Sequence, residues 1–322
     1  DRSINFLLQM RERFLKYYET HDTLVRFLFR FAMLLISLSV VTYMIGFASI
    51  LCMPLVIVAI SVAGAFGKNY VQILIVSSVI TIHLYAISSE LGTVVLCIFA
   101  ISYLVVFRFA PRAVNAVLLT FMCFALQIPY VLPIVIALYV PVSCLFSVNM
   151  GILMYYILRN VSKFELNLTR DIMENSSNAL LFVANHILNN KEMLIMMVSF
   201  TIIIVVVGII RNSSLNNAWR LATVVGTIVQ LFLIVILYFI WRVDTPIIMF
   251  IIETAIALFI GLMSSIFTFN ASYAKTERLE FEDDDYYYYV KAVPKIKVSV
   301  DNIKVTHINA KNSKEKDKKK EQ

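Results

Sequence analysis

Charge is what this sequence has least of. Asp, Glu, Lys and Arg make up 15% of its 322 residues, against 60% hydrophobic residues. Soluble domains carry about 25% charged and about 45–50% apolar residues, so an ordinary soluble globular domain is excluded and the chain falls in the membrane class. Paired cysteines are missing too. Cys52, Cys97, Cys123 and Cys144 all lie in apolar runs without C-x-x-C spacing, which excludes a disulfide framework and a zinc site and leaves small buried hydrophobes. There is no G-x-x-x-x-G-K-[ST], H-E-x-x-H or G-x-S-x-G, so no catalytic residue, metal or cofactor is assigned and the chain reads as non-enzymatic. Net charge is +7, yet no basic soluble domain or reading motif accompanies it, so nucleic acid is not an expected partner. No secretory cleavage site is visible, and 27–46 reads as a retained span.

What is present is a succession of apolar runs, at 27–46, 48–66, 70–88, 91–107, 193–210, 221–241 and 246–269, with a longer one over 113–158. Runs of this kind suit a hydrocarbon core of about 30 Å. Lysines and arginines gather in the first thirty residues, the short connections and the last fifty, the distribution of cytoplasmic anchoring charges. Phe6, Met10, Phe14 and Tyr17 share one helical face, so 2–20 is expected as a helix in the headgroup layer. A polar interruption over 162–192 carries Leu180, Val183, Ala184, Ile187 and Leu188 at helical spacing, the pattern of an interfacial helix.

The expected fold is therefore all-α and integral to the membrane. It is a polytopic bundle of eight or nine spans over 1–269, followed by a cytoplasmic tail over 270–322. Strict alternation leaves the parity open: four spans, then two, then three put the tail outside, so either 113–158 crosses an odd number of times or one run is not a full crossing. Both long ends in the cytoplasm is the preferred arrangement, a multi-pass protein of the cell membrane.

The run over 113–158 is the centre of the chain because Pro129, Pro133 and Pro141 interrupt it. A proline within a membrane helix removes a donor and frees carbonyls that must find partners in protein or a water-lined cavity. Ile128 precedes one proline, and Pro133 cannot donate to Pro129, so the helix from Ala113 is expected to stop close to Gln127. Broken helices occur at transport sites, and also where a kink only shapes packing. Few ionisable groups lie at depth. Glu253 is expected to face the bundle interior, where a carboxylate pairs or titrates. His83 reads as an interhelical hydrogen-bonding residue or a proton relay, and Gln127 and Gln230 as members of the same kind of polar cluster.

The tail changes composition abruptly. Glu282 to Asp285 is a solvated acidic stretch without the glycine-turned loop of a calcium site. Phe281, Tyr286, Tyr287, Tyr288, Tyr289 and Pro294 form a candidate docking surface, and alternation around Asp301-Asn302 predicts a β-hairpin near 295–308. The last residues are lysine-rich and expected to be disordered.

His83-Leu-Tyr-Ala86, Phe107-Arg-Phe-Ala-Pro111, Ile128-Pro-Tyr-Val-Leu-Pro133 and the run from Thr276 to Lys295 resemble a group of uncharacterised polytopic membrane proteins of clostridia-type bacteria. Members of that group often carry an automatic label of ABC transporter permease. The resemblance implies a permease-like component of a transport system, working with a separate ATPase subunit or an ion gradient. The alternative is a membrane scaffold that anchors an envelope or signalling complex through its tail. Beyond the lipid bilayer, the expected partner is thus a cytoplasmic protein of one of these kinds.

Overall fold

The computed structural model describes residues 20–174, 189–213, 217–243, 247–268, 277–282 and 287–292, together with the single residues 13, 17 and 187. Ten α-helices lie among the described residues: α1 Asp22–Met44, α2 Pro54–Ala65, α3 Asn69–Tyr85, α4 Ser89–Phe109, α5 Asn115–Ala125, α6 Leu132–Tyr139, α7 Cys144–Glu174, α8 Lys191–Arg211, α9 Ala218–Trp241 and α10 Ile247–Thr268. Six of them, α1, α4, α7, α8, α9 and α10, are long and apolar enough to cross a membrane. Leu34, Phe121, Phe200 and Ile203 are buried inside the bundle, whereas Leu55, Ile101, Phe232 and Phe239 face outward. Apolar side chains on both faces are what a helix needs when its outer solvent is hydrocarbon. The protein is therefore a multi-pass α-helical membrane protein.

Two of the expected spans are short. The run 48–66 forms a helix only from Pro54, whose fixed φ and missing N–H suit a first helical position, and α2 is 12 residues, about 18 Å. Turns fill the residues before it, and the Ala48 N–H is taken by His83 Nδ1 at 3.0 Å. Helix α3 has 17 residues, about 25 Å. The run 162–192 does not begin as a separate element, since α7 continues without a break through Glu174. The proposed interfacial helix over 2–20 lies outside the described residues apart from Arg13, Tyr17 and Thr20, and so does most of 175–188.

Named contacts fix the direction of each helix. Arg30 Nε donates to Asn69 Oδ1 at 2.8 Å, and Tyr70 meets Phe107 edge-on at 6.4 Å, so α1 and α3 begin where α4 ends. At that same end Phe109 stacks on Phe146 at 5.0 Å. Helix α5 then descends beside α7 in the same direction: Val117 and Thr120 face Gly151, and Phe124 lies 5.4 Å from Tyr155. Helix α6 returns, because Arg211 Nη1 at the finish of α8 holds the carbonyls of Ala137, Leu138 and Val140 at 3.0–3.1 Å. The chain from α5 to α6 thus enters and leaves at one end of the bundle. At the other end Arg159 Nη1 donates to Glu192 Oε1 at 2.7 Å, joining α7 to α8. Helices α9 and α10 are antiparallel, with Thr223 against Gly261 near the Arg30 end and Gln230 on Thr254 deeper.

The helical unit spans 16–266, and the strands belong to a second unit. There β1 Glu277–Glu282 pairs antiparallel with β2 Tyr287–Ala292, with Phe281 opposite Tyr288 and Glu280 opposite Tyr289. Of the acidic stretch only Glu282, and of the tyrosine run Tyr287, Tyr288 and Tyr289, lie in the paired strands; 283–286 are outside the described residues. Tyr286, Pro294 and the hairpin expected near 295–308 lie outside the described residues.

Candidate functional site

The prolines act where the sequence places them. Helix α5 ends at Ala125 in a C-terminal turn that swings Gln127 into the left-handed region at φ 61°. The Gln127 N–H bonds the Phe124 carbonyl at 3.2 Å and the Ile128 N–H bonds the Cys123 carbonyl at 2.9 Å, the pairing of a Schellman stop. This turn satisfies carbonyls that hydrocarbon would leave bare. A short 3-10 turn, Pro129–Val131, follows, and α6 starts with Pro133 in its first turn.

Reversal leaves one residue without a ladder. Pro129 has no N–H, so Tyr130 carries the first free donor of the returning segment. Its N–H bonds Glu253 Oε2 at 2.9 Å, and its carbonyl accepts from Gln230 Nε2, also at 2.9 Å. Two side chains from α10 and α9 thus complete both polar groups of a single residue. The ring of Tyr130 packs edge-on against Phe250 at 4.8 Å, and its hydroxyl lies 3.3 Å from that of Tyr238.

Helical spacing explains why these partners converge. On α10 the residues Phe250, Glu253, Thr254, Ala257 and Gly261 fall on one stripe, and the first four are buried while Ile248, Ile251 and Phe259 point outward. On α9 the residues Gln230, Ile234 and Tyr238 recur every four positions and are all buried. Gln230 Nε2 also donates to Thr254 Oγ1 at 3.0 Å, and that hydroxyl donates to the Phe250 carbonyl at 2.8 Å. The other amide atom, Gln230 Oε1, is buried with no partner. An unpaired acceptor of this kind costs about 1–3 kcal/mol where water is excluded.

A second polar set lies nearer the Arg159 end. Gln127 Nε2 bonds the Tyr155 hydroxyl at 3.2 Å, and Arg159 sits over the Tyr156 ring at 5.6 Å. The turn residues Leu126, Gln127 and Ile128 are exposed rather than packed.

Of the residues singled out in the sequence, Pro129, Pro133, Gln230 and Glu253 meet at this reversal, with Gln127 one turn away. His83 does not join them, being committed to the Ala48 N–H with a buried and unpartnered Nε2. Pro141 lies in the exposed turn after α6, where its carbonyl accepts the Cys144 N–H at 2.9 Å. Sequence reasoning missed Tyr130 as the residue being held, and with it Tyr238, Thr254 and Arg211. The i+8 spacing of Gln230 and Tyr238 was the available signal for one of them.

Fold and site together define an all-α, multi-pass membrane protein with a broken helical hairpin held inside its bundle. No family model, curated protein or solved structure matches the chain.

Proposed function

We propose that this protein is a permease-like membrane component of a transport system, non-enzymatic in itself, whose pathway passes the reversal between α5 and α6. One observation carries this assignment. Glu253, the carboxylate on the buried stripe of α10, lies beside a broken backbone and next to Gln230, whose buried Oε1 has no partner. A carboxylate and a spare acceptor oxygen at depth suit a proton or a small dehydrated cation, so the coupling or transported species is cationic. Entry is from the Arg159 end, where the exposed turn at Gln127 lies behind Tyr155 and the partly exposed Arg159–Glu192 pair.

Eight passes accompany this pathway: the six long helices, α3, and α2 together with the turns at 45–53 that precede it, with the α5–α6 hairpin re-entrant. Arg26, Arg30, Lys68, Arg108, Arg112, Arg211 and Arg220 then share one side, which the positive-inside rule makes cytoplasmic, and the tail follows them there. The resemblance to clostridia-type membrane proteins agrees with a cell-membrane location. The test is cation flux. Purified protein in vesicles should acidify, or take up a monovalent cation, along an imposed gradient, and Glu253→Gln should abolish the flux while the protein remains folded. Equal flux through both forms would remove Glu253 from the pathway.

A scaffold acting through the tail is the second reading, and the β1–β2 pair favours it. A two-stranded ribbon is marginal alone and offers edges to a partner strand. Co-purification from native membrane separates the two: a bound ATPase or gradient-driven flux supports transport, whereas envelope or signalling proteins held through the tail support scaffolding.

A further inference from the structure

We propose that the groove around Arg26 and Arg30 binds the phosphate headgroup of an anionic phospholipid. Two adjoining cavities share these arginines. One, about 590 Å³, lies between α1 and α2 and is also lined by Thr23, Leu24, Phe27, Ala65 and Phe66. The other, about 320 Å³, is also lined by Val25, Phe29, Asn69 and Asn115 at the starts of α3 and α5. Among the described residues no carboxylate lines either space.

Arg30 is the residue that calls for a ligand. It stands two turns into an apolar helix, where an unmatched guanidinium is costly. Asn69 Oδ1 takes only its Nε, which fixes the plane of the fork, and its two terminal nitrogens have no protein acceptor among the described residues. Arg26 pairs with Asp22 on its own helix, and its side chain is 54% exposed, so it remains available to a second anion. Asn69 and Asn115 add amide groups to the smaller cavity. An arginine fork with spare N–H groups matches phosphate geometry.

Apolar walls distinguish a lipid from a free anion. Phe27 and Phe66 pack at 4.9 Å, and Phe66 is 77% exposed, with Leu24 and Leu55 also outward. Inorganic phosphate gains nothing from this surface, whereas an acyl chain lying along it covers apolar area while its headgroup meets the arginines. The groove is at the end where α1, α3 and α5 begin, the depth of a headgroup layer.

The test uses the full-length protein in neutral detergent, read by native mass spectrometry after addition of phosphatidylglycerol or phosphatidylcholine. Two arginines, each contributing about a factor of five at a membrane surface, give an expected preference of roughly twenty-five-fold for phosphatidylglycerol. The Arg26→Gln/Arg30→Gln variant should lose that preference, and Arg112→Gln, at the same end but outside both cavities, should keep it. Should the double variant fail to fold, Phe66→Trp in the otherwise native chain gives an independent readout, with brominated phosphatidylglycerol quenching the new fluorescence more than brominated phosphatidylcholine. Equal retention of the two lipids, equal quenching, or an Arg112→Gln loss as large as that of the double variant would overturn the site. Displacement of the lipid by millimolar inorganic phosphate would overturn it as well, by showing a small-anion site.

Discussion

The carboxylate of Glu253 and the backbone N–H of Tyr130 meet at 2.9 Å across 123 residues of chain. Glu253→Gln retains an acceptor oxygen in the same place and removes the charge. Glu253→Leu removes the acceptor and leaves the Tyr130 N–H unpaired, a loss of about 1–3 kcal/mol. Thermal unfolding in detergent should therefore separate the two, with the Gln form near wild type and the Leu form clearly lower. If both unfold alike, the hydrogen bond to Tyr130 does not stabilise the hairpin.

Gln230 holds the carbonyl of the same residue. Once either partner is gone the reversal can relax, so the second loss should cost less than it does alone. The Gln230→Leu and Glu253→Leu double-mutant cycle is expected to show coupling of about 0.5–3 kcal/mol. Strict additivity would mean that the two side chains act on separate structures.

Much of this arrangement was legible in the prolines. Ile128-Pro129 and Pro133 foretold a helix ending near Gln127, because proline lacks a donor and biases the residue before it. Glu253 announced itself as a rare carboxylate in an apolar run. The direction of the returning helix was not legible. It depends on Arg211, which looks like an ordinary boundary charge in the sequence and instead caps a helix some seventy residues earlier. Side-chain periodicity could not show that α5 and α7 run the same way, since a span reads identically in either direction. In the tail, the charged residues of Glu277–Glu282 mask a strand pattern that pairs with the tyrosines.

Arg211 gathers three carbonyls on one nitrogen, Nη1, which has only two hydrogens, so at least one of them is shared. A lysine ammonium has three donors but no rigid fork. Arg211→Lys should retain most of the stability if its reach suffices, while Arg211→Leu strands the end of α6 and should cost about 1–3 kcal/mol. Thermal unfolding of both variants tests this. A Leu form as stable as wild type would show that solvent serves these carbonyls equally well.

Gly151 sets how closely α5 and α7 approach. A Cβ there would stand 2.5 Å from the Val117 carbonyl oxygen and 2.7 Å from Thr120 Cβ, and backbone cannot swing aside as a side-chain tip can. Gly151→Ala is expected to destabilise by about 1–3 kcal/mol through overpacking. Gly46→Ala is the milder comparison, since its nearest neighbour, the Thr42 carbonyl oxygen, is 3.3 Å away, and it should cost less. Unfolding midpoints that fall equally for the two would show that the α5–α7 contact gives way.

The re-entrant hairpin also decides which side of the membrane every later connection occupies. If α5 and α6 together crossed once, Asn212 would lie on the side of Ser89. Because Arg211 ties the end of α8 to the end of α6, and Phe146 at the start of α7 stacks on Phe109, Asn212 belongs with Lys68 and Arg112 instead. Single cysteines at Lys68, Ser89, Asn189 and Asn212, in a chain whose four native cysteines are replaced, convert this into a labelling pattern. A membrane-impermeant maleimide should modify the Ser89 and Asn189 positions in intact cells, and the Lys68 and Asn212 positions only in inside-out vesicles. Protease added to those vesicles should release the tail by cutting after Asn270. Labelling of the Asn212 position from outside would mean that the proline-broken segment crosses the membrane, and the pathway placed at its reversal would then have no closed end.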